Sequence, residues 1–117
     1  MDLNDAMKAH ADWSRKFREA IDTKQKLDVE TISKDNQCAL GKWLHGEAKD
    51  TYAKLAAYHT CVGAHAHFHR NAGEMALLIN RKDSEQARGN LMPGSKYREA
   101  AEEVALAIYK FKEEAKL

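Results

Sequence analysis

Between Tyr58 and Ile79 the apolar side chains Tyr58, Val62, Ala72, Ala76 and Ile79 recur at helical steps, and the two gaps in their stripe are filled by His65 and His69. A period of three and four residues is that of a helix with one face turned inward, and it rules out a strand, whose period is two. The stripe predicts a long helix from near Glu47 to about Arg81. Gly63 and Gly73 fall inside it, at a cost of roughly 1 kcal/mol each relative to Ala. They are expected to let a neighbouring helix come close.

The rest of the chain reads the same way. A first helix is predicted from about Leu3 to about Lys24, where Met7, His10, Trp13 or Ser14, Phe17 and Ile21 share one face. Asp28 should cap a turn of helix over Val29 to Ser33. Asp35 and Asn36 should cap a short helix, Gln37 to His45, closed by Gly46. Another short helix is expected over Asp83 to Leu91, before Pro93 and Gly94. Ser95 should cap a final helix whose stripe is Tyr97, Ala101, Val104, Ile108 and Phe111. Three long amphipathic helices with short ones between them imply an all-α fold, an antiparallel four-helix-bundle-like arrangement with additional short helices. The loops are short and no linker interrupts the chain, so residues 1–117 read as one domain.

Charge narrows the partners. The 19 basic and 18 acidic residues leave a net +1, without the basic excess that nucleic acid or an anionic membrane would call for. No apolar run approaches the ~18 residues that cross a bilayer, and no secretory signal is visible. Two cysteines, Cys38 and Cys61, make no disulfide framework. The expected setting is the reducing cytoplasm, where thiols bind metal or stay free.

Residues four apart on a helix stack on one face, so His65 and His69 can aim ring nitrogens at a single ion. Two buried neutral rings, each hydrogen-bonded to a neighbour, are the plainer alternative. His67 lies about 200° around the helix from His65 and should be a surface residue, as should His45 and His59. His10 occupies a core position between Met7 and Trp13, where an unpaired polar ring is costly, and a facing histidine pair would account for it. Zinc favours four nitrogen or sulfur ligands, which calls for one thiolate more. Cys61 is on the same stripe but eight residues from His69, about 12 Å along the axis, too far for one ion to meet both. Cys38 comes from a separate segment, in the first turn of the short helix, where the helix dipole favours a thiolate. The expected metal ligands are therefore His10, Cys38, His65 and His69, with Cys61 a buried free thiol.

The order His10 with Trp13, then Cys38-Ala-Leu40-Gly41-Lys-Trp43-Leu, then His65-x-x-x-His69 closely resembles the chemoreceptor zinc-binding domain of bacterial signalling proteins. Cys, Gly and Trp in a C-x-L-G-x-W segment are its most specific element, and the likeness covers nearly the whole chain. The resemblance implies Zn2+ held by three histidines and one cysteine, the same four residues. It implies a cytoplasmic helical-bundle homodimer that passes a signal to an output domain of a methyl-accepting chemotaxis receptor or a diguanylate cyclase, in cis or in trans. It further implies sensing of zinc or of oxidants such as hypochlorous acid through the bound cysteine, and no contact with nucleic acid or membrane. Trp13, Leu40, Gly41 and Trp43 are expected to pack near the site, with Trp43 anchoring the short helix and Gly41 permitting its close approach.

Enzymatic readings fit less well. A di-iron centre needs several inward carboxylates in Glu-x-x-His repeats, which are scarce here. A hydrolytic zinc site needs an open coordination position, and three histidines with one cysteine leave none. A non-catalytic structural bundle without specific metal sensing is the remaining alternative.

Overall fold

Side-chain caps fix where the helices begin. Asp2 accepts from the amides of Asn4 and Asp5 at the start of α1 (Leu3–Ala11). Asp28 does the same for Thr31 at α3 (Val29–Ser33), Asp83 for Gln86 at α7 (Ser84–Gly89), and Ser95 for Arg98 at α8 (Lys96–Ala115). Each such cap satisfies an amide that the helix itself leaves without a partner, at about 1 kcal/mol. The computed structural model describes residues 1–117; together with α2 (Trp13–Thr23), α4 (Ala39–His45), α5 (Glu47–Tyr52) and α6 (Ala56–Asn80) it contains eight helices and no strand.

Seven of the eight form four columns, and the short α7 packs against α6 and α2. Tyr58 meets Phe111 at one end of α6 and Phe68 meets Tyr97 further along, with ring centroids 5.8 Å apart in both pairs, so α6 and α8 are antiparallel. The segment α1–α2 runs parallel to α6, because His10 lies beside His65 and Leu27 beside Asn80. The segment α3–α5 runs back, with Ile32 beside His69 and Leu44 beside Tyr58. The result is the expected all-α, bundle-like architecture. Phe17, Phe68, Tyr97, Phe111, Leu40, Leu44, Met75 and Ile108 fill its centre, all essentially without exposure. Burial of each such side chain contributes roughly 1.5–3 kcal/mol.

Two long helices are divided where one piece was expected. The first breaks at Asp12, whose backbone stays right-handed helical and still donates to Lys8 O at 2.9 Å. Its carboxylate holds Arg15 at 2.7 Å, so the break is a loosening at a poor interior residue rather than a bend. The second is a true break: Leu55 is extended and separates α5 from α6. The apolar stripe begins only beyond this point. The turn lets Tyr58 donate its hydroxyl to Leu44 O at 2.7 Å.

The two glycines of α6 also differ. A Cβ on Gly73 would lie 2.5 Å from Ser33 Cβ, so α3 approaches α6 as closely as expected there. Gly63 has nothing within 4 Å of that position, and no neighbour uses it. A further tie joins the α2–α3 connection to α6. Asn80 accepts from Leu27 N at 2.7 Å and donates to Leu27 O at 2.8 Å. No helix is long and apolar enough to cross a membrane.

Candidate metal centre

His10, Cys38, His65 and His69 converge on one point, with one donor atom from each and all four atoms within 4.8 Å of one another. His65 Nε2 lies 3.1 Å from His10 Nε2 and 3.0 Å from His69 Nε2. Cys38 Sγ lies 3.3 Å from His65 Nε2, 3.6 Å from His69 Nε2 and 3.9 Å from His10 Nε2. The three histidines are buried and the cysteine half-buried.

Backbone carbonyls set the tautomers of two rings. His10 Nδ1 lies 2.7 Å from Ala6 O, one turn earlier on α1, and His69 Nδ1 lies 2.9 Å from Ile32 O at α3. A carbonyl oxygen can only accept, so each Nδ1 carries the proton and donates it. Each Nε2 then presents a lone pair to the cluster. His65 is fully buried, and its Nδ1 has no partner. Burial holds all three rings below the ordinary histidine pKa. That of His65 falls to about 3, with the nearby His69 and His10 adding to the effect of burial. The neutral form, the one that can ligate, is thus the stable one here.

Two ring lone pairs, the His65 nitrogen and the Cys38 sulfur face one point at these distances, where a single cation would meet all four donors. Zinc fits by size. Bonds of about 2.0–2.1 Å to nitrogen and about 2.3 Å to sulfur make a tetrahedron with edges of about 3.3 Å between nitrogens and about 3.6 Å from nitrogen to sulfur. The sulfur–nitrogen spacings of 3.3–3.9 Å span their edge, and the nitrogen–nitrogen spacings of 3.0 and 3.1 Å fall slightly short of theirs.

Cys38 reaches this point by a route the sequence did not give. The short helix begins at Ala39, not Gln37, and Cys38 itself is its N-cap, its sulfur accepting from Gly41 N at 3.4 Å. Asp35 and Asn36 lie in the turn before it. The reason is steric: a Cβ on Gly41 would lie 1.6 Å from Asp35 O, so the turn folds directly over the helix. Asp35 also accepts from His45 Nε2 at 2.9 Å, tying the turn to the far end of α4. Leu40 is buried, and Trp43 stacks on Phe111 of α8 and on Tyr52, with centroids 5.7 and 6.0 Å away. Trp13 lies against Phe17, under the ammonium of Lys16.

The remaining candidates stay out of the cluster. Cys61 is fully buried with its thiol pushed up to about 12 by burial, the free thiol expected. His59 is exposed and donates to Ala53 O at 2.6 Å. His67 is only half-exposed, not a plain surface residue, with Nδ1 3.6 Å from Glu103 of α8. Sequence reasoning did not find the carbonyls of Ala6 and Ile32. The first was within reach, since residues four apart on a helix stack; the second depends on how α3 docks, which no spacing states.

A sequence model described as the chemoreceptor zinc-binding domain matches residues 10–76, more than half of the 117 residues. The match begins at His10 and takes in Cys38, His65 and His69. No curated protein and no solved structure matches the chain.

Proposed function

This chain belongs to the chemoreceptor zinc-binding domain family, and on that premise we propose that it is a sensory domain in which His10, Cys38, His65 and His69 hold one Zn2+. The observation that carries the reading is the convergence of three imidazole nitrogens and one sulfur, at five spacings each within about 0.3 Å of a zinc tetrahedron's edges. Bound there, zinc keeps the sulfur as a thiolate and cross-links α4 to α1 and α6. The chain's own residues do the rest. Ala6 O and Ile32 O orient two rings, burial keeps the imidazoles neutral, and the Gly41 amide positions the sulfur.

With all four positions taken by protein, no place is left for a substrate, and the domain acts by changing shape rather than by catalysis. Its input is an oxidant such as hypochlorous acid, or zinc itself. Oxidation of a thiolate to sulfenic acid weakens it as a ligand. Release of Cys38 loosens α4, and the stacking of Trp43 on Phe111 carries that change to α8. In this reading the domain is a cytoplasmic homodimer coupled to a chemotaxis-receptor or diguanylate-cyclase output.

Metal content by mass spectrometry tests the reading. One zinc per chain is expected in the wild type and in Cys61→Ala, with at least a tenfold weaker hold in Cys38→Ala. Wild-type protein that takes up no zinc when supplied with it contradicts the proposal and leaves a structural bundle.

A further inference from the structure

A groove of about 280 Å3 runs between the start of α1 and the start of α4 and is lined by both Cys38 and His10. The larger groove between α1 and α8, about 360 Å3, touches His10 but not Cys38. The smaller groove is thus an approach from solvent to the sulfur. Ala6, Ala9 and Leu40 make its walls apolar, and the charged side chains that line it are Asp2 and Asp5, both exposed. Asp2 is fixed in place, because its Oδ1 accepts from Asn4 N at 2.9 Å and from Asp5 N at 3.2 Å. These two carboxylates give the side chains of the lining a net negative charge.

We propose that this groove is the entry route to Cys38 and that Asp2 and Asp5 make it a charge filter, admitting small uncharged oxidants in preference to anionic ones. The inference rests on the reading of Cys38 as the reactive ligand and specifies which oxidants reach it. The two carboxylates repel an anion along this path, whereas an uncharged peroxide crosses it without electrostatic cost. For that class the reaction balances. The Cys38 thiolate attacks one peroxide oxygen, an S–O bond forms as the O–O bond breaks, and the sulfur loses two electrons to become a sulfenic acid. The other oxygen accepts them and leaves as hydroxide. At a nominal separation of about 7 Å in water-like surroundings, two carboxylates slow an anion by roughly fivefold together, and the effect falls with added salt.

Alkylation with iodoacetamide and iodoacetate tests the filter, since the two reagents share one mechanism and differ in charge. Rates at Cys38 are read by peptide mass spectrometry on zinc-loaded and zinc-stripped full chain, with buried Cys61 as the unreactive internal standard. The preference for the uncharged reagent should exceed that of a small free thiol by roughly fivefold at low salt. In Asp2→Asn/Asp5→Asn it should fall to the free-thiol value, with the iodoacetamide rate held within about twofold; Asn retains the cap, so the fold is kept. A preference equal to the free thiol's, or one unchanged by the double substitution, overturns the filter. Metal content of the same samples reports separately on the zinc site. If the protein binds no zinc, the site reading fails while the alkylation ratio still decides the groove.

Discussion

The nitrogen side and the sulfur side of the centre are built differently. His65 and His69 sit on the 25-residue α6, in the middle of the core, and His10 faces them from α1. Two of the three rings are pinned by carbonyls. Cys38 instead caps a seven-residue helix and is half-exposed, placed by one amide and by the turn that folds over Gly41. Three nitrogens are set by core packing before any metal arrives; the sulfur is set by a local turn. A sensor that must stay folded while its signal changes benefits from this division, because one ligand can leave without unpacking the helices that carry the others.

The sharpest way to break the comparison is to strike the sulfur side alone. Gly41→Ala must push the Asp35 carbonyl away, since no rotamer relieves a backbone clash at 1.6 Å. About 3 kcal/mol of stability should be lost in urea unfolding with zinc present, together with tight zinc binding. Wild-type stability and zinc content in this variant would show that the turn does not position the sulfur.

The nitrogen side answers to pH. His10, His65 and His69 all have folded-state values below the ordinary 6.5, so the unfolded chain binds more protons as the pH drops. Stability of the zinc-stripped protein from this source is full above about 6.5 and is lost as pH falls from there towards the folded value of about 3 for His65. The slope is up to about 1.4 kcal/mol per pH unit for each histidine, smaller once the folded forms also protonate. Denaturant midpoints between pH 7 and pH 4 measure it. A midpoint that does not move would mean that these rings are not held neutral by the fold.

Asn80→Ala removes both bonds to Leu27 and unties the α2–α3 connection from α6. It should cost about 1–2 kcal/mol in thermal melts and leave zinc content unchanged, because the nitrogen side does not depend on that tie. Loss of zinc would show that it does. Gly63→Ala is the smallest change and has the opposite sign. With no atom in the way, it should stabilise α6 by about 0.5–1 kcal/mol. Destabilisation would reveal a use of Gly63 that the packing does not show.

How much of this could be read in the sequence follows from which forces are local. The stripes through Tyr58 to Ile79 and Tyr97 to Phe111 declared the two longest buried helices, since apolar period depends only on helix geometry. The caps at Asp28 and Ser95 were legible for the same reason. The encounter of His10, Cys38, His65 and His69 could be argued because two of them share a helix face and only Cys38 can meet the same ion as both. The break at Leu55 was hidden, because Glu47 to Tyr52 has good helix formers and only docking turns it away. The role of Cys38 as a cap was hidden too. Asp35 and Asn36 are stronger caps by type, and the backbone contact at Gly41 outweighs that preference. Nothing in the sequence marks Asp2, the N-cap of α1, or Asp5, in its first turn, as facing a groove, because that depends on where α4 docks.

The central claim is a single zinc bound by three nitrogens and one sulfur, and X-ray absorption at the zinc edge reads that shell directly. The account predicts one sulfur at about 2.3 Å and three nitrogens at about 2.0–2.1 Å in the wild type, with the sulfur shell gone in Cys38→Ala and intact in Cys61→Ala. A shell without sulfur, or one that loses its sulfur in Cys61→Ala, would contradict it.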